Sequence, residues 1–309
     1  MSFSNHFEYN INKHQINMHY CKNVTLKGYT VSDSSNWAHS IFFAEDVDIS
    51  DITVLAGHDA IHITACDRVK IENCKLITGD DCIAGIDNRY ISVKNCEISS
   101  ACSAFRFGGY DISVEDCKVY GPCRYQFRGS FTPEEKAAGV TVSEKGRNNM
   151  LSFWTNYSSD EIPTRTPPGK IRVKNCTVLN ADRMLHLNLS GNETWQWGDP
   201  PSDISFENIK AENILMGLTA YGTAGLPYEF IFKNSEYSFR DGSGNTPMMR
   251  VAHFGKIRLE NVKISGFEGG TLIKTWTDGG MLETEGLQCD LKGGKLIEKT
   301  EEQFVCKAI

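Results

Sequence analysis

Three aspartates stand at positions from which a repeating fold could bring them together. Asp80 and Asp81 follow Gly79, and Asp59 lies 22 residues before Asp81. Carboxyl groups within a few ångströms of each other repel, so at least one should have a raised pKa. Such a set supplies an acid and a base near neutral pH, which general acid–base catalysis requires. Aspartates are also common in turns, so Asp80 and Asp81 alone could simply form a turn. The position of Asp59 one repeat earlier favours a catalytic role for the three residues.

The elements that must position these aspartates are short alternating segments that recur about once every 22 residues. The central apolar residues of the clear copies, which serve as markers, are Leu26, Ile49, Ile71, Val93 and Val114, and looser copies follow around Val173, Phe206, Phe232, Leu259 and Thr284. Alternation is typical of strands, and a fixed period of this length indicates a solenoid. We therefore predict an all-β fold, a right-handed parallel β-helix of about ten coils.

Residues at equal offsets from the markers should form columns, because adjacent coils stack about 4.8 Å apart. Asp59 and Asp81 both lie ten residues after a marker, and His58 and Asp80 both lie nine residues after one. This register places Asp59 directly beside Asp81.

Two other columns describe the core and the corners of the coils. The cysteine column consists of Cys74, Cys96, Cys117 and Cys176. The chain has 11 cysteines, an odd number, and we expect free buried thiols rather than disulfides. In eight coils the residue before this column is Asp or Asn, which suits a corner because these residues tolerate the left-handed conformation.

The first third of the chain resembles a known family. Gly57-His58-Asp59 and Gly79-Asp80-Asp81 resemble, in residue type and spacing, the Asn-Thr-Asp and Gly-Asp-Asp motifs of the polygalacturonase-type glycoside hydrolases, family 28. The segment Asp33-Ser34-Ser35-Asn36-Trp37 resembles the family's Asn-Ser-Pro-x-Trp strand end. The resemblance implies that Asp80 is the general acid. It also implies that Asp59 and Asp81 hold and deprotonate water in an inverting displacement without a metal or another cofactor.

The sequence departs from the family at two further motifs. The family's Gly-His-Gly is replaced by Ala101-Cys102-Ser103, so His58 or His62 would have to tune the acid. The family's Arg-Ile-Lys falls on Gln126-Phe127-Arg128, which keeps one cation and leaves specificity for uronic acids open. We reject Cys102 as a nucleophile, because neighbouring carboxylates raise the pKa of a thiol.

Cationic side chains on the same face are predicted to contact the substrate. Arg106 and His62 each lie thirteen residues after a marker. Arg106 could bind a carboxylate or sulfate through its guanidinium fork, whereas His62 is equally well explained as a core histidine. Arg183 and His186 repeat the spacing of Asp59-Ala60-Ile61-His62 with different chemistry, and are candidates for a further subsite.

Two stretches interrupt the repeat, near 121–169 and 191–202. Insertions in solenoids often form a binding wall. The first contains Trp154, whose ring could stack on a sugar or cover its own loop, together with Phe153 and Tyr157. We predict one domain over residues 1–309, with both insertions lining the cleft.

The net charge and the hydropathy of the chain exclude some classes of binding partner. A net charge of −7 argues against nucleic acid or an anionic membrane, and no stretch is apolar enough to span a bilayer. Residues 1–10 lack the pattern of a secretory signal, so we expect a cytoplasmic protein, although a chain without its leader would look the same. The oligomeric state is not determined by the sequence.

These features favour an inverting glycoside hydrolase that cleaves an oligosaccharide or polysaccharide, with a pectin-like or otherwise acidic chain as one candidate. A polysaccharide lyase or epimerase stays an alternative, because Arg106 and Arg128 could neutralise a carboxylate during proton abstraction. The altered Cys102 and Gln126 positions also allow a non-catalytic carbohydrate-binding β-helix. An aspartate cluster could bind Ca²⁺ only if further oxygen ligands converge.

Overall fold

The computed structural model describes residues 14–34, 36–127, 131–140, 149–159, 169–191, 193, 195–241, 243, 246–267 and 270–300. The strands are, in chain order, β1 (Ile16–His19), β2 (Lys22–Lys27), β3 (Thr30–Ser32), β4 (His39–Phe42), β5 (Glu45–Ser50), β6 (Thr53–Ala56), β7 (Ile61–Thr64), β8 (Asp67–Glu72), β9 (Lys75–Thr78), β10 (Ile83–Lys94), β11 (Glu97–Ser100), β12 (Ser103–Glu115), β13 (Lys118–Tyr120), β14 (Met150–Asn156), β15 (Gly169–Lys174), β16 (Thr177–Leu179), β17 (Ala181–Asn188), β18 (Asp203–Glu207), β19 (Lys210–Ile214), β20 (Met216–Tyr221), β21 (Tyr228–Phe239), β22 (Met249–Ala252), β23 (Phe254–Ser265), β24 (Ile273–Thr275), β25 (Met281–Glu285) and β26 (Ile297–Lys299). A short helix, α1 (Pro133–Ala137), lies between β13 and β14 and begins at a capping box. Within the described ranges, no helix has the length and apolar character needed to cross a membrane.

Each strand pairs with its counterpart in the next coil, so the chain winds as a solenoid. Ile61 of β7 pairs with Ile83 of β10, which pairs with Phe105 of β12. The described strands form one hydrogen-bonded set, and the ladders between the named strands are parallel. The parallel β-helix of about ten coils that the repeat predicts is confirmed.

The corners of the coils follow the predicted Asx column. Its members have φ between 47° and 56°, and they are Asp51, Asn73, Asn95, Asp116, Asn175, Asn208, Asn234 and Asn261. Their side chains also pair along the axis, as where Nδ2 of Asn95 donates to Oδ1 of Asn73 at 2.7 Å. Short polar side chains thus stabilise a left-handed backbone position that most residues avoid.

The cysteine column lies beneath these corners. Cys74, Cys96, Cys117 and Cys176 are each at most 2% exposed and pack in the continuous apolar core. The ten cysteines of the described residues carry free thiols. The expectation of buried thiols is confirmed for this column.

Trp154 is a core residue and not a groove residue. It lies on β14, paired with Phe105 in the inward column, and it is fully buried. Its ring stacks on Phe105 with 5.3 Å between centroids and an interplanar angle of 22°. The predicted contact between Trp154 and a sugar is therefore wrong, because β14 is part of the solenoid wall.

The structure covers only part of the predicted insertions. Residues 128–130, 141–148 and 160–168 of the first insertion lie outside the described ranges, as do 192 and 194 of the second. Arg128, predicted to bind substrate, is among them. That residues 1–309 form a single domain stays a prediction.

Candidate active site

The backbone ladder brings two of the three aspartates to equivalent positions. Asp59 follows β6, and Asp81 follows β9 one coil later. The amide of Ala38 donates to the carbonyl of Asp59 at 2.9 Å, and the amide of Ala60 donates to the carbonyl of Asp81 at 3.2 Å. Asp59 and Asp81 are therefore neighbours along the axis, as the register predicts.

Asp80 lies in the same cluster, held by the turn that contains it. One carboxylate oxygen of Asp80, one of Asp81 and the Cys102 sulfur lie within 4.8 Å of one another. The hydroxyls of Thr78 and Ser100 donate to the Asp80 carbonyl at 2.7 and 2.8 Å, which fixes the turn. The three aspartates are at most 5% exposed.

Gly79 permits the close approach of the chain at this turn. A Cβ at Gly79 would lie 2.7 Å from the Gly57 carbonyl oxygen and 3.0 Å from that of Gln126. The position therefore excludes larger residues because of backbone contacts. It also places Gln126, the start of the altered cation motif, against the aspartate turn.

The Asp81 carboxyl titrates near neutral pH. Burial and the adjacent Asp80 raise its pKa to about 7, and Asp59 acts in the same direction. Arg106, with Nη1 3.9 Å from Oδ2, and the Ser103 amide, 3.2 Å from Oδ1, oppose that rise. A carboxyl that titrates near neutrality can act as an acid or as a base at physiological pH. The expected raised pKa is confirmed.

His62 positions Asp59. Its Nδ1 lies 3.0 Å from Oδ2 of Asp59, and the Trp37 ring stacks on the imidazole with 3.7 Å between centroids. Burial lowers the pKa of His62 to about 4, so the ring is neutral at pH 7 and donates from Nδ1. His58, predicted to lie near the acids, is also buried, directly before Asp59.

Arg106 shares an outward column with His62, as predicted. Ala84 pairs with His62 on one side and with Arg106 on the other. The guanidinium of Arg106 lies over the Tyr157 ring at 5.5 Å from its centroid, and its side chain is 21% exposed. It faces Asp81 and can contact a bound anion near the acids.

The same column leads to His186 two coils further on. Arg106 pairs with Thr155 of β14, and Thr155 pairs with His186 of β17. Nη1 of Arg183 lies 2.9 Å from Nδ1 of His186. The structure thus places Arg106, Arg183 and His186 along one face, with the aspartates at one end.

The sequence predicts no site role for Trp37 and Trp195 of this face, and it indicates Tyr157 only as an aromatic residue that could stack on a sugar. Trp37 belongs to the segment noted for its family resemblance, and Tyr157 belongs to the first insertion. Trp195, from the second insertion, packs edge-on against Tyr157 with 6.2 Å between centroids and is 45% exposed. Their aromatic side chains could have indicated a role in sugar binding. Their positions could not be predicted, because residues in the insertions have no fixed offset from a repeat marker.

Residues 3–121 match the family model described as "Glycosyl hydrolases family 28". The match covers less than half of the chain, and it shows a similarity to this family over residues 3–121. The matched part contains Asp59, Asp80, Asp81, His62 and Arg106, and it ends before β14. The side chains further along the groove lie outside the matched segment.

Curated proteins are similar to this chain over part of their length. A polygalacturonase of Medicago sativa is 24% identical over 261 residues, which cover 82% of this chain and 46% of the relative. A polygalacturonase of Brassica napus is 30% identical over 114 residues, which cover 32% of this chain and 29% of the relative. The chain therefore spans less than half the length of these two relatives.

Solved structures similar to this chain include an exopolygalacturonase from Thermotoga maritima. The similarity has a TM-score of 0.48 at 14% identity, and it covers 92% of this chain and 55% of that one.

Proposed function

We propose that this protein is an inverting glycoside hydrolase whose substrate is a pectin-like oligosaccharide or polysaccharide. The observation that carries the proposal is the cluster of Asp59, Asp80 and Asp81, in which burial and mutual repulsion raise the pKa of Asp81 to about 7. The match of residues 3–121 to the family model and the similarity to polygalacturonases support the same chemistry. Hydrolysis of a glycosidic bond needs one protonated carboxyl and one carboxylate, which this cluster can supply.

In the proposed mechanism, the proton that Asp81 holds near neutral pH is first transferred to Asp80, which gives it to the leaving glycosidic oxygen. Asp59 and Asp81 hold a water molecule and remove its proton as it attacks the anomeric carbon. His62 keeps Asp59 in position through its hydrogen bond, and Trp37 keeps the imidazole in plane. Arg106 binds a carboxylate of the substrate beside the acids, since its guanidinium is partly exposed and faces Asp81.

Stereochemistry tests the proposal directly. Carboxyl groups about 5 Å apart are typical of retaining glycosidases, whereas those of inverting enzymes lie about 6.5–9.5 Å apart. Oxygens of Asp80 and Asp81 lie within 4.8 Å, so inversion depends on water held at Asp59 and Asp81 rather than on direct attack by Asp81. We expect ¹H NMR of early hydrolysis products from galacturonic-acid oligomers to show the inverted anomer. A retained anomer would contradict the water mechanism, and an unsaturated product absorbing in the ultraviolet would indicate a lyase.

Tyr157 is proposed to contact a sugar ring beside Arg106. Its ring is partly exposed and lies edge-on to both His62 and Trp195. Stacking on an aromatic ring contributes about 1 kcal/mol, so Tyr157→Ala should raise KM by about fivefold with a smaller change in kcat. Tyr157→Phe keeps the ring and should stay near the parent value. Steady-state kinetics on the same oligomers measure both, and equal KM values for the alanine and phenylalanine variants would contradict the contact.

A further inference from the structure

The segment after β17 brings a fourth acidic side chain to the face that carries Arg106, Arg183 and His186. Oε2 of Glu193 lies 3.1 Å from Nε2 of His186, on the opposite side of the ring from Arg183. The side chains of His186 and Glu193 are 5% and 18% exposed, so the chain of three groups is sheltered from water. Since an arginine can only donate, Nδ1 of His186 accepts and Nε2 carries the proton that is donated to Glu193.

Burial and the contacts between Arg183, His186 and Glu193 determine which of these side chains are charged at pH 7. Burial lowers the pKa of His186 to about 4, and Arg183 acts in the same direction, so the imidazole is neutral at pH 7. Burial would raise the pKa of Glu193, but the hydrogen bond with His186 and the nearby Arg106 and Arg183 outweigh it and lower the pKa. Glu193 is therefore a carboxylate at neutral pH, and its charge balances that of Arg183.

The position of this group along the groove matters for a bound chain. His186 lies two coils beyond Arg106, which corresponds to about 10 Å at the spacing of parallel strands. Trp195, two residues after Glu193, packs against Tyr157 and is half-exposed, so the same segment also forms the wall of the groove. A saccharide chain that extends from the aspartates along this wall would meet Glu193 beyond the sugar that contacts Arg106.

We propose that Glu193 makes this second position selective for a sugar residue without a free carboxylate. The ionised oxygens of Glu193 accept hydrogen bonds from sugar hydroxyls and repel a uronate, while Arg183 is already paired through His186. The inference rests on the proposed glycosidase function and adds a substrate class to it. That class is an oligosaccharide with an acidic residue near Arg106 and a neutral or esterified residue further along.

The test compares acidic and methyl-esterified galacturonic-acid oligomers of equal length. Glu193→Gln keeps the size and the hydrogen-bond acceptor but removes the charge. We expect the ratio of kcat/KM for the acidic oligomer to that for the ester to rise about tenfold, because a like charge at a sheltered position is removed and no longer balances the charge of Arg183. Calorimetric binding of both oligomers to the Asp80→Asn protein, with and without the Glu193 change, should show the same shift without turnover.

Glu236→Gln is the matched control. The carboxylate of Glu236 lies 3.9 Å from Lys263, and the Glu236 side chain is 60% exposed, so its removal should leave the ratio unchanged. If Glu193→Gln leaves the ratio unchanged, or weakens both oligomers equally in a protein with an unaltered melting temperature, the inference is wrong while the glycosidase proposal stands. If the parent protein neither cleaves nor binds either oligomer, the proposed function fails and this inference fails with it.

Discussion

Asp80→Asn is expected to lower kcat by about 10²- to 10⁴-fold, the range typical for loss of a positioned general acid. Asparagine has nearly the same shape but cannot give a proton to the leaving oxygen. The carbonyl of Asp80 should keep its hydrogen bonds from Thr78 and Ser100, because these involve the backbone and not the altered group. The turn should therefore persist, and substrate should still bind. Single-turnover hydrolysis and calorimetric binding on the same oligomers separate the two effects.

Asp48→Asn is the control for this substitution. Asp48 lies on β5 and is exposed, so the same chemical change there should leave kcat within about twofold of the parent. A protein in which Asp80→Asn and Asp48→Asn give the same rate would not use Asp80 as its acid. A parent protein that binds oligomers without turnover would be a carbohydrate-binding solenoid, the non-catalytic alternative.

The clear repeat in the first half of the chain made much of the site predictable. Because parallel coils stack residue on residue, a one-residue error in register would move every side chain to another column. The markers at Ile49 and Ile71 were correctly aligned, and so Asp59 and Asp81 could be paired without any coordinates. The column of His62 and Arg106 follows from the same alignment and is confirmed by their shared partner Ala84.

The part of the site beyond β13 could not be predicted in this way. The insertion lies inside a coil, between β13 and β14, so the period is lost even though β14 pairs normally with β12. The aromatic pair Phe153 and Trp154 was therefore assigned to a loop, where it would face a substrate. In the structure both side chains are fully buried, because they fill the core of that coil.

Glu193 had no sequence signal at all. It lies in the second insertion and shares no offset with a repeat marker. Its role depends on His186 and Arg183, which were predicted as direct substrate ligands. In the structure, Arg183 lies within hydrogen-bonding distance of His186, and His186 is hydrogen bonded to Glu193. Whether Arg183 and His186 also contact substrate stays a prediction.

Cys102, which replaces the family's histidine, does not act as a substitute for it. Burial raises the pKa of the Cys102 thiol well above its usual value, and Asp81 and Asp80 act in the same direction. The sulfur therefore stays a neutral thiol beside the carboxylates, in agreement with its rejection as a nucleophile. The histidine nearest in role, His62, contacts Asp59 and so orients the proposed water-binding pair.

Asp81→Asn is expected to abolish hydrolysis and at the same time to stabilise the folded protein at pH 8. In the folded state the pKa of Asp81 is about 7, whereas an aspartate in an unfolded chain has a pKa of about 3.9. The folded state therefore holds a proton that the unfolded state has lost between about pH 4 and pH 7. Stability from this group falls as pH rises through that window, and above pH 7 a buried, repelled charge remains.

Removing that charge should raise the free energy of unfolding at pH 8 by about 2 kcal/mol and change it little at pH 4. This figure is below the limit of about 4 kcal/mol set by a shift of about three pKa units, because the asparagine amide also costs free energy to bury. Denaturant unfolding of parent and variant at both pH values measures the difference.

Comparing the two proteins at each pH removes the opposite effect of the buried histidines. His62 and His186 have pKa values of about 4, so they favour the unfolded state as pH falls from about 6.5 towards 4 in parent and variant alike. Only the difference between the proteins reports on Asp81. If the variant is less stable than the parent at pH 8, the Asp81 carboxylate gains more free energy from Arg106 and Ser103 than it loses through burial and repulsion by its acidic neighbours. The pKa of Asp81 would then not be raised towards neutral pH, and the proposed proton donor would be absent.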